Sequence, residues 1–174
     1  TNTLTVLDGP VSLGAFITGP AFQTTAVVEY FHAGFGHYFT TADPDEVALL
    51  DQGYFVGWTR TGQQWKAWRE GGGLKDVCRF FTVAFPPKSS HFYTANPAEC
   101  ALVKTNPDWQ YEKISFRVAA ADDFDCLSGI PLFRVYNNGL TGAPNHRYTI
   151  SPAVRDQMIG QGFADEGIAG CVPQ

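Results

Sequence analysis

The chain has 174 residues, of which 44% are hydrophobic and 17% are charged, and its formal net charge is −5. This length suits one ordinary domain, and the composition excludes a disordered chain. The negative charge and the lack of any basic run exclude the positive surface that nucleic-acid binding requires. No apolar stretch approaches the roughly 18 residues of a membrane-spanning helix.

The N-terminal segment 1–25 is rich in Thr, Gly and Pro and contains no Lys or Arg. This composition is typical of a linker, or of an edge strand that connects a domain to a preceding one. The chain begins without a charged segment followed by an apolar one, so we expect that a signal peptide has been removed or belongs to a longer precursor. A single folded domain is expected at 26–174.

A short motif centred on a histidine occurs three times. Its histidines are His37, His91 and His146, which are 54 and then 55 residues apart. Each motif follows a strand-like segment and precedes an Asp, Asn or Ser with a Pro after it. Such a pair marks a helix start, because the cap side chain accepts a free backbone N–H and Pro has none to lose. The copies read GHYFT at 36–40, SHFYT at 90–94 and NHRYT at 145–149.

These signals predict a unit of strand, strand, short helix and strand. The helices are expected to end near Gly53, Pro107 and Gly162, each followed by an aromatic strand. One unit cannot bury its apolar face alone, so three must pack together. We predict an α+β, β-dominated fold with a pseudo-threefold, three-bladed propeller-like arrangement; a β-trefoil is the alternative, but it does not account for the helices. The repeats are expected at about 27–73, 76–121 and 130–174.

Four cysteines occur without a C-x-x-C pair, which argues against a zinc site. Two disulfides, and therefore an oxidising compartment, are the simplest interpretation; four reduced thiols are the alternative. We favour the pairing Cys78–Cys100, which lies within one repeat, with Cys126–Cys171, which clamps the last repeat to the C-terminus.

Several segments resemble a repeat family of unknown function that occurs in secreted bacterial and fungal proteins. The similar strings are VEYFHAG at 28–34, HFYT at 91–94, YNNG at 136–139 and NHRYT at 145–149. The resemblance spans about 27–174 and implies an extracellular accessory role directed at cell walls or glycans, without catalytic residues. The first repeat is the least typical, since it carries Gly57 where the others carry Glu112 and Glu166, and it contains a Gly-rich insertion at 71–73.

The three histidines have two main interpretations. They contact ligand hydroxyls, together with Tyr93 and Tyr148 of the same motifs, or each ring bonds to the backbone and holds its own hairpin. A metal ion would require three imidazoles to converge with a correct second shell. We predict no metal and no cofactor.

A Trp-rich hairpin contains Trp58, Trp65 and Trp68. Trp65 and Trp68 are three positions apart and would face opposite sides of a regular strand, so at least one is expected to be exposed. Such rings could stack on the C–H faces of a sugar, or they could pack in the core. Asn137 and Asn138 precede a Gly and are typical of a hairpin turn, although their amides could also face a ligand.

The remaining acidic residues carry weaker hypotheses. Glu112 and Glu166 occupy equivalent positions and are expected to pair with Arg79 and Arg134; catalysis of glycoside hydrolysis would need two carboxylates on one bond. A cluster of Asp122, Asp123 and Asp125 offers too few oxygens for a calcium loop and is expected to be a solvated linker.

Taken together, these features favour a non-catalytic, lectin-like carbohydrate-binding module. The expected partner is a glycan or polysaccharide, such as that of a cell wall, and the expected location is extracellular or periplasmic. We expect a monomer within a multidomain protein. A protein-interaction or adhesion domain is the first alternative and a small glycan hydrolase is the second.

Overall fold

The computed structural model describes residues 22–121, 126, 129–140 and 142–174. In these residues, strand, strand, helix and strand follow one another in three successive groups. The first group contains β1 (Gln23–His32), β2 (His37–Thr41), α1 (Pro44–Asp51) and β3 (Trp58–Glu70). The second contains β4 (Lys75–Phe85), β5 (Lys88–Thr94), α2 (Pro97–Val103) and β6 (Gln110–Val118). The third contains β7 (Ile130–Tyr136), β8 (His146–Thr149), α3 (Pro152–Gly160) and β9 (Ala164–Val172).

Two predictions fall largely or wholly outside the described residues. The proposed linker or edge strand at 1–25 is described only from residue 22, and β1 begins at Gln23 within it. The acidic cluster of Asp122, Asp123 and Asp125 is not described at all.

The three helix starts are formed as the sequence predicts. Asp43, Asn96 and Ser151 have extended backbones, and their side chains accept N–H groups of the first helical turn. A proline follows each of them at the first helical position, where it gives up no hydrogen bond. The helices are nevertheless short, and packing against the strands must supply most of their stability.

The strands form two antiparallel sheets, with the orders β2-β1-β3-β6-β4-β5 and β8-β7-β9. The first strand of each group lies between the other two. The first two groups share one sheet because β3 meets β6 through the pair Trp68 and Arg117, and β6 is linked to the end of β9 by a bridge between Ala119 and Cys171. The α+β, β-dominated class is confirmed. The closed, propeller-like arrangement is wrong for the described strands, because this joint merges two groups into one continuous sheet.

Hydrogen bonds made by side chains join the second strands of the three groups. The Asn145 carboxamide accepts from Tyr38 N and donates to Tyr38 O and to Ser90 Oγ. The Tyr148 hydroxyl donates to Tyr93 O at 2.6 Å, and the Tyr93 hydroxyl donates to Thr40 O. Buried polar groups thus hold β2, β5 and β8 together, so these groups are satisfied inside the fold.

Two disulfides have the predicted pairing. Cys78–Cys100 joins β4 to α2, and Cys126–Cys171 joins the segment before β7 to β9. The main core contains side chains from all three groups, and Cys78 and Cys100 belong to a smaller cluster with Phe80 and Phe92.

Candidate functional site

A cavity of about 290 Å³ opens between the first and second groups. Its charged and imidazole side chains are Glu46 on α1, Arg79 on β4, His91 on β5 and Glu112 on β6. We call this cavity with these four side chains site A. Because the four residues come from both groups, site A exists only when the two groups are packed together.

Arg79 is the centre of site A. Its side chain is only 4% exposed, and its two terminal nitrogens donate to the two oxygens of Glu46 at 2.7 Å. Its Nε donates to Glu112 Oε2, also at 2.7 Å. One planar guanidinium therefore orients two carboxylates, and such bidentate, charge-assisted bonds restrict both distance and direction.

Glu46 is saturated by donors. Besides Arg79, it accepts from the Thr41 hydroxyl and from Lys113 Nζ at 2.9 Å. Burial by itself would raise the pKa of Glu46, but the hydrogen bonds from Arg79, Thr41 and Lys113 outweigh it and lower the pKa to about 2. This carboxylate is ionised at every physiological pH and has a structural role.

One carboxylate oxygen of Glu112 makes no hydrogen bond to the described residues. Its Oε2 accepts from Arg79 and lies 3.4 Å from His91 Nε2, while its Oε1 has no hydrogen-bond partner among the described residues. Burial would raise the pKa of Glu112, but His91 and Arg79 lower it. Burial lowers the pKa of His91, so its imidazole is neutral at pH 7. The three charged groups, Arg79, Glu46 and Glu112, therefore carry one net negative charge.

Aromatic rings form the walls of site A. The rings of Phe39 and Phe81 lie 4.4 and 4.9 Å from the His91 ring, and Trp58 meets Phe39 edge-on at 5.9 Å. Phe55, which is 43% exposed, completes the lining at the rim. An occupant of the cavity would therefore meet aromatic side chains together with the carboxylate of Glu112.

A second cluster repeats these contacts between the second and third groups, and we call it site B. Arg134 on β7 donates to Glu99 on α2 at 2.9 and 3.3 Å. Its Nε lies 2.7 Å from Glu166 Oε2 on β9, although this N–H is not aligned for a hydrogen bond. His146 Nε2 on β8 lies 3.1 Å from the same oxygen. The rings of Phe92 and Tyr136 contact the His146 ring, Arg134 lies over Phe92, and Trp109 meets Phe92 edge-on.

At the corresponding contact between the third and first groups, the charges are exchanged: the first strand of the hairpin carries a glutamate instead of an arginine. Glu29, which is fully buried, stands on β1 where Arg79 and Arg134 stand on β4 and β7. Arg147 donates to both of its oxygens at 2.8 and 2.9 Å and lies 4.1 Å from the centre of the Tyr38 ring. We call Glu29 and Arg147 the buried pair.

The histidines are not equivalent, which corrects the alignment on which the motif was based. His91 and His146 lie six residues before the helix-starting proline, whereas His37 lies seven before it. A shift of one residue turns a strand side chain to the other face. His37 is therefore fully buried and hydrogen-bonds Ser89 O at 2.7 Å through Nδ1, while Tyr38 takes the place that corresponds to His91.

The tryptophans divide between core and cavity. Trp65 is 5% exposed and belongs to the main core, so it is not available for stacking on a ligand. Trp68 is half-buried beside Thr24 and Arg117. Trp58 alone among these three lines site A.

Asn137 and Asn138 have local roles in their turn. Asn137 is buried, and its side chain accepts from the N–H groups of Gly139 and Asn145. Asn138 has a φ of 51°, and its side chain donates to Gly162 O. Tyr93 and Tyr148 are also buried, where their hydroxyls bond to neighbouring strands. The alternative interpretation, a structural role, fits all four residues better.

Sequence reasoning anticipated the pairing of Glu112 and Glu166 with Arg79 and Arg134, and the structure confirms it. It missed Glu46 and Glu99, which complete the two clusters. A signal was present, since each of them stands two residues after the helix-starting proline in its group. In α3 the corresponding residue is Val154, so α3 supplies no carboxylate at this position to the contact between the third and first groups.

Acidification is expected to lower the free energy of unfolding between pH 4.5 and about 2, partly because of Glu46. Its pKa in the folded state lies below the usual 4.5, so the unfolded chain takes up the proton first as the pH falls. The stabilisation is complete above pH 4.5 and is lost by about pH 2. A depression of this size corresponds to about 3 kcal/mol. Urea unfolding of the wild type and of Glu46→Gln at steps of pH measures it.

The Glu46→Gln variant is expected to be less stable at pH 7 and to show a flatter curve in this acid range. Asp108→Asn, at an exposed carboxylate, is the matched control and is expected to leave the slope unchanged. Equal slopes for Glu46→Gln and the wild type would contradict the assignment.

Comparison with known proteins identifies the family. The domain of unknown function DUF5648 matches residues 26–173, so the chain belongs to that family. No curated protein and no solved structure matches the chain. In the described part of the chain, no helix is long and apolar enough to span a membrane, and no group of three or more His, Cys, Asp or Glu side chains could hold a metal ion.

Proposed function

We propose that this domain is a non-catalytic carbohydrate-binding module and that site A binds the sugar. We also propose that its three groups are repeats related by an approximate threefold axis. One observation carries the functional proposal: a cavity of about 290 Å³ is lined by aromatic side chains and by Glu112, whose Oε1 has no hydrogen-bond partner among the described residues.

This combination matches the chemistry of a sugar ring. The apolar C–H faces of the ring can pack on Trp58 and Phe55, while a hydroxyl donates to Glu112 Oε1. The floor is held in place before binding, because Arg79 is nine-tenths buried and bonded to both glutamates. A preorganised site loses less entropy when a ligand binds. The net negative charge of the floor disfavours acidic sugars, so a neutral sugar is the proposed ligand.

The carboxylates of site A argue against the hydrolase alternative. A glycosidase needs one carboxylic acid with a raised pKa to protonate the leaving group. The pKa values of Glu46 and Glu112 are instead both lowered, so neither is protonated at neutral pH. This arrangement supports binding without hydrolysis.

A protein-interaction or adhesion role is the second candidate, and the rim of site A favours it. Tyr54 and Val56, in the loop after α1, are 71% and 85% exposed, next to Phe55. Exposed apolar groups of this kind are often contact surfaces. Such a partner would bind the rim, whereas a sugar must enter the cavity, so the two candidates depend on different residues.

The two disulfides support an oxidising compartment, and therefore an extracellular or periplasmic location. The proposed partner is a glycan or a polysaccharide, such as that of a cell wall. We propose that the domain acts as a monomeric module of a larger protein.

The direct test is calorimetric titration with neutral trisaccharides, together with pull-down on insoluble cellulose, chitin, xylan and mannan, with and without chelator. Binding by the wild type is expected to survive chelator. Glu112→Gln and Trp58→Ala are expected to weaken it at least about tenfold, or by about 1.4 kcal/mol. The first replaces a charged acceptor by a neutral amide, and the second removes a ring from the cavity lining.

Trp68→Ala is the matched control, since this half-buried ring on the same strand lies outside the cavity lining. It is expected to retain wild-type affinity. Failure of the wild type to bind any of these glycans would refute the proposal. Binding that Glu112→Gln leaves intact while Tyr54→Ser abolishes it would assign the contact to the rim and favour the adhesion role.

A further inference from the structure

Site B repeats the arginine, the two glutamates and the histidine of site A at similar distances. We propose that site B is a second site for a neutral sugar, so that the domain is bivalent; this inference rests on the proposed function of site A. The binding group at site B is the free oxygen of Glu166, as that of Glu112 is at site A.

The correspondence extends to individual atoms. In each cluster, the two terminal nitrogens of an arginine bond to a glutamate of the preceding helix, and its Nε faces Oε2 of a second glutamate. The arginine side chain is 4% exposed in site A and 16% exposed in site B. A histidine Nε2 approaches that same Oε2, at 3.4 Å for His91 and at 3.1 Å for His146. Oε1 of Glu166, like that of Glu112, has no hydrogen-bond partner among the described residues.

The two glutamate side chains are similarly exposed. The side chains of Glu112 and Glu166 are 26% and 28% exposed. Burial would raise the pKa of Glu166, but His146 and Arg134 lower it, so this carboxylate is ionised and can only accept hydrogen bonds. A ligand at site B must therefore supply a donor, and a sugar hydroxyl does so.

The aromatic surroundings also correspond, with one difference. Phe92 and Tyr136 lie 4.9 and 4.7 Å from the His146 ring, and Trp109 meets Phe92 edge-on at 6.1 Å. The loop after α2, however, carries Asp108 where the loop after α1 carries exposed aromatic residues. With fewer rings to pack against, site B is expected to bind the same sugar more weakly than site A.

The contact between the third and first groups does not offer such a site. Glu29 is fully buried and both of its oxygens are bonded to Arg147, which leaves no accessible carboxylate. The proposal therefore gives two sites, not three, in the described part of the chain. Two weak sites on one rigid body would bind a polymer or a dense glycan surface more tightly than a short oligosaccharide, because the second contact is intramolecular.

Calorimetric titration with the neutral trisaccharides tests the number of sites. The wild type is expected to bind two molecules per chain, Glu112→Gln and Glu166→Gln one each, and the double variant none. Retention on the matching insoluble polysaccharide is expected to fall more than about tenfold in either single variant, since avidity is lost. Trp109→Ala provides a second disruption of site B that leaves the ion pairs intact.

The outcomes separate the two proposals. One molecule per chain, abolished by Glu112→Gln and unaffected by Glu166→Gln and Trp109→Ala, would overturn the bivalent inference and leave the function of site A standing. No binding of any trisaccharide or polysaccharide by the folded wild type would overturn both. Circular dichroism of each variant establishes that it is folded before its stoichiometry is compared.

Discussion

Arg147→Ala is expected to lower the free energy of unfolding by about 3–5 kcal/mol. Arg147 donates to both oxygens of Glu29, whose side chain is fully buried. Its removal leaves a carboxylate whose only side-chain donor among the described residues is the Thr61 hydroxyl, at 2.7 Å. A buried charge without its counter-ion loses far more than the bond itself, because it has been taken out of water. Denaturant unfolding at pH 7 measures the loss.

Arg79→Ala is the matched comparison, since it also removes an arginine that holds glutamates. Glu46 and Glu112 are about one-quarter exposed, and Lys113 still pairs with Glu46. Water and Lys113 can therefore compensate, and a smaller loss is expected. The double variant Glu29→Gln with Arg147→Met is expected to recover much of the stability, because it removes both charges. Equal losses in the two arginine variants would contradict the role of burial.

Trp65→Ala is expected to lower the free energy of unfolding by about 3–5 kcal/mol, as is usual when a buried tryptophan is truncated. Trp65 pairs with Val27 across β3 and β1 and packs in the main core with 5% exposure. The substitution opens a cavity that the packed strands cannot fully close. Thermal or denaturant unfolding measures the loss.

Trp58→Ala, on the same strand, is expected to affect binding more than stability. Trp58 is half-buried in the wall of site A, so its loss should weaken sugar binding and cost less stability than the loss of Trp65. Trp65→Ala, measured at a temperature where it is folded, should bind like the wild type. If Trp65→Ala abolished binding without loss of stability, the sequence-based view of Trp65 as a platform would stand.

Local features of the fold could be predicted from the sequence because they depend on neighbouring residues. The helix starts at Pro44, Pro97 and Pro152 follow from a cap residue and a proline side by side. The disulfides could be predicted because Cys78 and Cys100 fall within one strand–strand–helix unit. The ion pairs of Arg79 and Arg134 with their strand glutamates could be predicted from equivalent positions in two units.

The histidine motif alone did not predict the strand register to within one residue. His37 matches the other two histidines in the sequence of its motif. The distance from His37 to the helix-starting proline is, however, one residue longer than in the other two groups. In a strand this offset moves the side chain to the opposite face. The helix-starting proline is the better reference point, because it sits at a defined backbone position.

The sequence by itself determined the order of strands and helices, the helix caps and the chemistry available to each unit, and it favoured the disulfide pairing that the structure shows. Only the tertiary structure decided which units share a sheet, and that Glu46 and Glu99 meet arginines of the following unit. It also placed Trp65 in the core and Trp58 at the cavity. The physical reason is range: a cap or a turn depends on bonds between near neighbours, whereas a cavity between units depends on the packing of residues far apart in the chain.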